Sequence, residues 1–241
     1  SEEVIILTSE HACKVFVFLR IRERLQQGIL FRTAIAVILA AENKNVDFIV
    51  SLAGMMTDAK TTLQYQNRIL CETSNNFSES EVEESQRITG QLYDILKKAP
   101  NKQKAVEECR TYMTEYANTM TPEQQEKYNM TGQNRFAILR TFGTTWFFEL
   151  FKLDMTKYLK KVKCPVLAVN GKKDLQVEWT TNFALFSKYI KGHGQLTTHA
   201  YEDRNHLFQH CQTGLVNEYG KIEETFSEDV LKDIEAWLEE K

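Results

Sequence analysis

The 241 residues are enough for one sizeable core with an added cap, and 42% apolar with 26% charged residues is typical of a globular protein. The 30 basic and 33 acidic residues are interspersed and leave a net charge of −3, so no field of one sign attracts nucleic acid or an anionic membrane. Disordered and fibrous classes are excluded, and we expect no nucleic-acid partner.

The longest apolar run, residues 29–41, is too short to span a bilayer and has Arg32 inside it. No intact signal peptide opens the chain at Ser1, so we expect a cytoplasmic protein, or a periplasmic or secreted one if a leader has been removed. The five cysteines have no paired spacing, which favours free thiols over disulfides or a zinc site.

The N-terminal part of the chain predicts short strands within residues 4–7 and 15–19, followed by a short helix over 20–27. Residues 33–42 lack Gly and Pro and predict a buried helix. Residues 46–54 are nearly all apolar and end in Gly, the pattern of a parallel strand covered on both faces.

A long polar segment then predicts helices without a strand. Capping-box patterns at Ser78 and Thr121 mark two helix starts within it. Because such an insertion in a parallel α/β protein usually covers the carboxyl edge of the sheet, we interpret residues 57–145 as a helical cap. Residues 1–56 and 146–241 would form the core; the alternative is a helical layer that only packs.

After an aromatic-rich helix, an apolar strand ending at Gly171, a helix over 179–190 and a strand over 196–201 predict a βαβ unit. The last helix is expected to begin at the N-cap Ser227, with Phe226 packing onto Leu231. The predicted fold class is α/β, with a reduced parallel sheet of about five strands, flanking helices and the helical cap.

Each of the last two predicted strands is followed by a polar loop with one candidate catalytic residue, Asp174 in the first and His206 in the second. Taken singly, the acid could cap a loop and the histidine could be a solvated side chain. Together they supply an acid that fixes an imidazole tautomer and a base that moves a proton. They follow the chain order of the α/β-hydrolase triad.

Segments 48–54, 163–177, 205–209 and 214–227 resemble bacterial α/β-hydrolases of the serine esterase and lipase group, related to acyl-aminoacyl peptidase-like hydrolases. The resemblance runs from about residue 36 to the C-terminus. It implies that Asp174 orients His206 and that His206 is the general base. It also implies a small-molecule ester or acyl substrate and no cofactor or metal.

The family's G-x-S-x-G nucleophile elbow should lie at residues 28–32, where this sequence reads Gly-Ile-Leu-Phe-Arg. Leu30 cannot act as a nucleophile, and Arg32 stands where the tight turn needs Gly. Ser9, after a strand-like run, is a substitute candidate without flanking glycines. Alternatively, residues 1–36 are not the family's own N-terminal segment, through a truncation or a shifted reading frame.

We therefore expect a serine esterase by resemblance that is weak or inactive as this chain. The alternative is a non-catalytic hydrolase-like module for binding or assembly, which would form homo-oligomers because missing strands leave sheet edges and apolar surface to cover. Acyl transfer by the same residues is a third hypothesis. A zinc site at His206 and His210, with Cys211 adjacent, would need a third ligand and a helix that carries the two histidines at positions i and i+4, so we expect no metal.

Overall fold

The computed structural model describes residues 6–9, 12–15, 30–74, 76–190 and 196–241, with side chains from residue 34 onward. The predicted helix over 20–27 and the strand positions 16–19 lie outside the described residues. The described chain divides into two units. One unit contains the residues up to Thr57 together with Asp154–Lys241, and the other is Asp58–Leu153.

The first unit holds a mixed sheet of five strands in the order β1-β2-β3-β4-β5. The strands are β1 (Ile6–Ser9), β2 (Ala12–Val15), β3 (Val46–Leu52), β4 (Val166–Gly171) and β5 (Leu196–Tyr201). Strands β2 to β5 run parallel to one another, whereas β1 is antiparallel to β2. The prediction of a wholly parallel sheet is wrong at β1, because two residues between paired strands allow only a hairpin.

The helices of the described residues alternate with these strands in the first unit and fill the second. They are α1 (Leu30–Glu42), α2 (Ala59–Thr73), α3 (Glu79–Lys98), α4 (Lys102–Ala117), α5 (Pro122–Lys127), α6 (Gly132–Phe142), α7 (Thr145–Leu150), α8 (Thr156–Leu159), α9 (Trp179–Tyr189), α10 (Val216–Tyr219) and α11 (Glu228–Glu239). The predicted βαβ unit is confirmed as β4-α9-β5. No helix in this described part of the chain is both long and apolar enough to cross a bilayer.

The core of the first unit explains why β3 reads as continuously apolar. Alternate residues of the strand pack into one cluster with α11, in which Phe48 and Trp237 meet edge to face at 5.9 Å. The intervening Ile49 and Ser51 are also buried, on the opposite face of the strand. Burial on both faces removes the need for alternating polar residues.

The start of α11 differs from its prediction. Ser227 is the N-cap residue, but its side chain makes no capping hydrogen bond. Leu231 is exposed, and Phe226 packs instead on the buried ring of Phe208 at 5.2 Å between centroids. The proposed staple between Phe226 and Leu231 is therefore wrong, since the core aromatic at 208 offers Phe226 a more buried partner.

The helical unit begins at Asp58, which caps α2 by accepting from Thr61 N. Both predicted capping boxes, at Ser78 and Thr121, are present. Helix α7 lies in this unit, which ends at Leu153. The predicted limits of the cap, residues 57–145, stay a prediction. The assignment of the unit as a cap over a site stays a prediction.

Candidate functional site

Asp174 and His206 lie together at the carboxyl edge of the sheet. They follow β4 and β5, whose last residues, Gly171 and Tyr201, are register partners. His206 Nδ1 lies 2.8 Å from Asp174 Oδ2, and the two side chains are 1% and 0% exposed. The structure thus brings the predicted acid and base into direct contact in a water-excluded position.

The loop after β4 is built around the Asp174 carboxylate. Its Oδ1 accepts from the backbone N–H groups of Gln176 at 2.8 Å and Val177 at 2.9 Å, which closes an Asx turn. Its Oδ2 accepts from Asn170 Nδ2 at 3.1 Å as well as from His206. Donors on both oxygens fix the plane of the carboxylate before any substrate arrives.

The loop after β5 is held by Asn205 and Phe208. The fully buried Asn205 accepts from Leu207 N at 2.9 Å and Gln209 N at 3.0 Å through Oδ1. Phe208 adopts a left-handed backbone with φ of 58°, which turns the chain, and its buried ring packs edge to face on Tyr201. His206 therefore projects from a tight turn anchored in the core.

Arg204 ties this loop to the start of α11. Its buried guanidinium donates from Nε to Ser227 Oγ at 2.5 Å and from Nη2 to Asp229 Oδ2 at 2.6 Å, and it also pairs with Asp203. Ser227 Oγ in turn donates to the carbonyl of Phe208 at 2.5 Å. The Ser227 hydroxyl is thus used to support the histidine loop instead of capping α11.

The two loops also touch through their backbones at Gly171. Lys173 N donates to Arg204 O at 3.1 Å, and a Cβ at position 171 would overlap that oxygen and lie 2.8 Å from Asn205 O. Only a glycine permits this approach. The contact sets the distance between the acid loop and the base loop.

The geometry fixes the tautomer of His206. Because the Asp174 carboxylate is an acceptor, Nδ1 carries the proton and Nε2 presents a lone pair. Nε2 is buried and has no hydrogen-bond partner among the described residues. A buried acceptor without a partner is unfavourable unless another group comes to it. A free Nε2 lone pair on a fixed ring is the arrangement of a general base that has not yet bound the group from which it takes a proton.

Asp174→Asn is expected to move the imidazole proton from Nδ1 to Nε2. The amide oxygen of the variant side chain would accept from Gln176 N and Val177 N, so its NH₂ group would face His206 Nδ1. Because an NH₂ group donates, Nδ1 would have to be the acceptor and Nε2 would carry the proton. In a serine protease the same exchange costs about 10⁴ in turnover through the wrong tautomer. Two-bond ¹H–¹⁵N correlation spectra report the tautomer, and an Nδ1 that stays protonated would contradict the geometry. His210, which pairs with Glu224 at the surface, is the internal control.

Within the described ranges, no hydroxyl or thiol group is hydrogen-bonded to Nε2. Leu30, the residue at the expected serine position, is the first residue of α1. Residues 16–29, between β2 and α1, include no Ser, Thr or Cys, and their structure lies outside the described part of the chain.

Ser9 lies at the wrong edge of the sheet. It pairs with Ala12, and Cys13 pairs with Val46 at the start of β3. The length of β3, about 20 Å at 3.3 Å per residue, separates that end from the carboxyl edge. Ser51, whose buried Oγ has no partner among the described residues, is level with Ala168. It is set back about 10 Å along the strand from Gly171.

The structure holds no candidate metal centre within its described residues. No group of three or more His, Cys, Asp or Glu side chains there could ligate an ion. His210 is exposed and bonds Glu224 at 2.9 Å through Nδ1. Cys71, Cys109, Cys164 and Cys211 are free thiols, and burial raises the pKa of Cys109 to about 12 and that of Cys164 to about 11.

Sequence reasoning missed the residues that support the pair. The sequence pattern identifies Asn170 only as a residue near the end of an apolar strand. A polar side chain at a buried strand position indicates a specific hydrogen-bond partner, which here is Asp174. The sequence pattern identifies Gly171 only as the end of a strand, and not as the point where the two loops approach each other. Nothing in the sequence distinguished Arg204 from a solvated loop residue, because Ser227 and Asp229 are more than 20 positions away.

Neither a family model nor a curated protein matches the chain. Among solved structures, esterase E22 is similar over 78% of this chain with a TM-score of 0.32 and 13% identity. A point mutant of that esterase is similar over the same share with a TM-score of 0.32 and 12% identity. The chain spans 56% of the length of both. A TM-score of 0.32 with 13% identity does not assign the chain to a family.

Proposed function

We propose that Asp174 and His206 are the acid–base half of an α/β-hydrolase-type serine esterase site. Asp174 holds the Nδ1–H tautomer, and His206 Nε2 takes the proton of an attacking hydroxyl and returns it to the leaving alcohol. The observation that carries the proposal is the buried Nε2 without a partner, on a ring already fixed by a fully buried carboxylate. Carboxylic esters are the substrate class that the sequence resemblance implies.

The nucleophile half of this chemistry is not accounted for at the position where the resemblance expects it. The elbow position is Leu30, and residues 16–29 contain no hydroxyl or thiol. Removing the serine of such a triad lowers turnover by about 10⁶ and leaves only the contribution of binding and the oxyanion hole. The proposal is therefore an esterase-type site that is weak or inactive in this polypeptide.

Hydrolysis of short-chain nitrophenyl esters is expected to be no faster with the native chain than with its His206→Ala variant. Initial rates at pH 7 to 8, followed by release of nitrophenolate, make the comparison. The His199→Ala variant, in which an exposed histidine is removed, controls for surface imidazole catalysis. Robust turnover that disappears only in His206→Ala would mean that the chain contains a nucleophile.

Restoring the elbow tests the acid–base pair directly. The Leu30→Ser, Arg32→Gly double variant recreates G-x-S-x-G with the native Gly28. We expect a fluorophosphonate probe to label position 30 in this variant and to leave the native chain unlabelled. Adding His206→Ala should slow the labelling about 100-fold or more, the usual contribution of a general base. Equal labelling with and without His206, or labelling of the native chain at Ser9 or Ser51, would contradict the proposal.

A non-catalytic module that self-associates is the second candidate. Ile35 and Leu39, one turn apart on α1, are 52% and 38% exposed, and a helix with apolar residues at this spacing commonly packs against another surface. Light scattering separates the candidates, since a monomer at micromolar concentration would count against assembly.

A further inference from the structure

The helical unit contains a cavity of about 240 Å³ bounded by α2, α3 and the segment from α5 to α6. The buried side chains of Ile88, Leu92 and Met130 line its apolar side. A cavity of about 150 Å³ in another protein holds benzene, and one water occupies about 30 Å³ in the liquid. The space therefore fits a substituted ring of about eight or nine heavy atoms.

The cavity also has a polar part of its wall, which centres on Ser85. Ser85 Oγ accepts from Asn67 Nδ2 at 3.0 Å and from the Cys71 thiol at 3.4 Å. Thr89 Oγ1 accepts from Asn67 Nδ2 at 3.5 Å and donates to the Ser85 carbonyl at 2.9 Å. With both lone pairs of its hydroxyl engaged, Ser85 has a proton to donate, and no described contact accepts it. A ligand with a hydrogen-bond acceptor would complete the wall.

The charge at the rim argues for a neutral ligand. Lys127 is the charged residue among those lining the cavity, and its ammonium group lies 2.6 Å from Glu81 Oε1. The hydrogen bond from Lys127, with others from Ser78, lowers the pKa of Glu81 to about 2, so the pair is charged at neutral pH. Lys127 thus has its counter-ion and offers no free charge to an anionic ligand.

We propose that this cavity is a binding site for a small neutral aromatic compound with a carbonyl oxygen. The ring would contact Ile88, Leu92 and Met130, and the carbonyl would accept from Ser85 Oγ. The site lies entirely within the helical unit and does not depend on the function proposed for Asp174 and His206. Acetophenone, with nine heavy atoms, is a suitable probe.

Protection of Cys71 from alkylation tests the site. Cys71 lines the cavity, whereas Cys164 lies in the sheet-containing unit and serves as the reference thiol. Acetophenone at saturating concentration is expected to slow iodoacetamide labelling of Cys71 by fivefold or more without changing Cys164, as measured by peptide mass spectrometry. Ethylbenzene, which lacks the acceptor, and benzoate, which is charged, should each require at least tenfold higher concentrations than acetophenone for half-maximal protection of Cys71.

Two variants separate the apolar and polar parts of the site. Thr89→Met adds volume beside the cavity and is expected to abolish protection by acetophenone. Ser85→Ala removes the donor and is expected to make acetophenone and ethylbenzene equivalent, with native circular dichroism in both variants confirming the fold. Absence of protection in the native chain, equal protection by benzoate, or protection unchanged in both folded variants would overturn the proposal.

Discussion

Gly171→Ala is expected to lower the free energy of unfolding by about 3 kcal/mol or more and to displace His206 from Asp174. The added Cβ would overlap the carbonyl oxygen of Arg204 and press on that of Asn205. The Arg204 oxygen accepts from Lys173 N and the Asn205 oxygen accepts from Phe208 N, so neither can move without straining these hydrogen bonds. Urea unfolding followed by circular dichroism gives the free energy, and the His206 ring signals report the displacement.

Gly220→Ala is the matched control in the same unit. No atom outside its chain neighbours lies within 4 Å of a Cβ at position 220, and its φ of −72° suits any residue. The change in stability should stay within about 1 kcal/mol and can be favourable, because alanine restricts the unfolded chain. If Gly171→Ala were equally harmless, the close approach of the two loops would not determine the position of His206.

The elements that sequence predicts well here are those whose burial is nearly uniform. Strands β3 and β4 follow from short apolar runs that end near a Gly, because strands covered on both faces need no polar residues. The same reasoning located Asp174 and His206, since loops after neighbouring parallel strands share an edge. The sequence pattern does not predict the hydrogen-bond contact itself, in which His206 Nδ1 lies 2.8 Å from Asp174 Oδ2.

The failures come from contacts between distant residues. The short Ile6–Ser9 and Ala12–Val15 strands carry no direction in their composition, and only the two-residue separation shows that they are antiparallel. Phe226 was assigned a local partner, but the ring of Phe208 decides its packing. The link from Arg204 to Ser227 likewise depends on α11 returning beside the β5 loop, which no local period encodes.

The support around His206 is more extensive than a solvated loop residue would need. Asp174, Asn205 and Arg204 each make at least three hydrogen bonds that fix either the ring or the loop that carries it. Preorganisation of this kind is what proton transfer requires, because a misplaced base loses catalytic efficiency steeply. The chain thus combines a well-supported Asp174–His206 pair with a sequence at positions 28–32 that contains no serine.

Asp174→Ala is expected to destabilise the chain by about 3 to 5 kcal/mol, because each buried donor that loses its acceptor costs about 1 to 3 kcal/mol. The variant would leave the donors of Gln176, Val177 and His206 without their acceptor in a buried site. The loss in the free energy of unfolding should be about 2 kcal/mol smaller for His206→Ala than for Asp174→Ala. In His206→Ala the carboxylate keeps its hydrogen bonds to Asn170, Gln176 and Val177. This asymmetry distinguishes a carboxylate that organises the loop from one that serves only as counter-ion.

Urea unfolding of both variants at pH 7 measures the difference. Asp154→Ala is the control, since this exposed acid accepts from Thr156 N and Oγ1 and its loss should cost about 1 kcal/mol, as for a helix cap. Equal losses for Asp174→Ala and His206→Ala would mean that the backbone donors find other partners. In that case Asp174 would serve His206 alone, and the acid loop would hold its shape without the carboxylate.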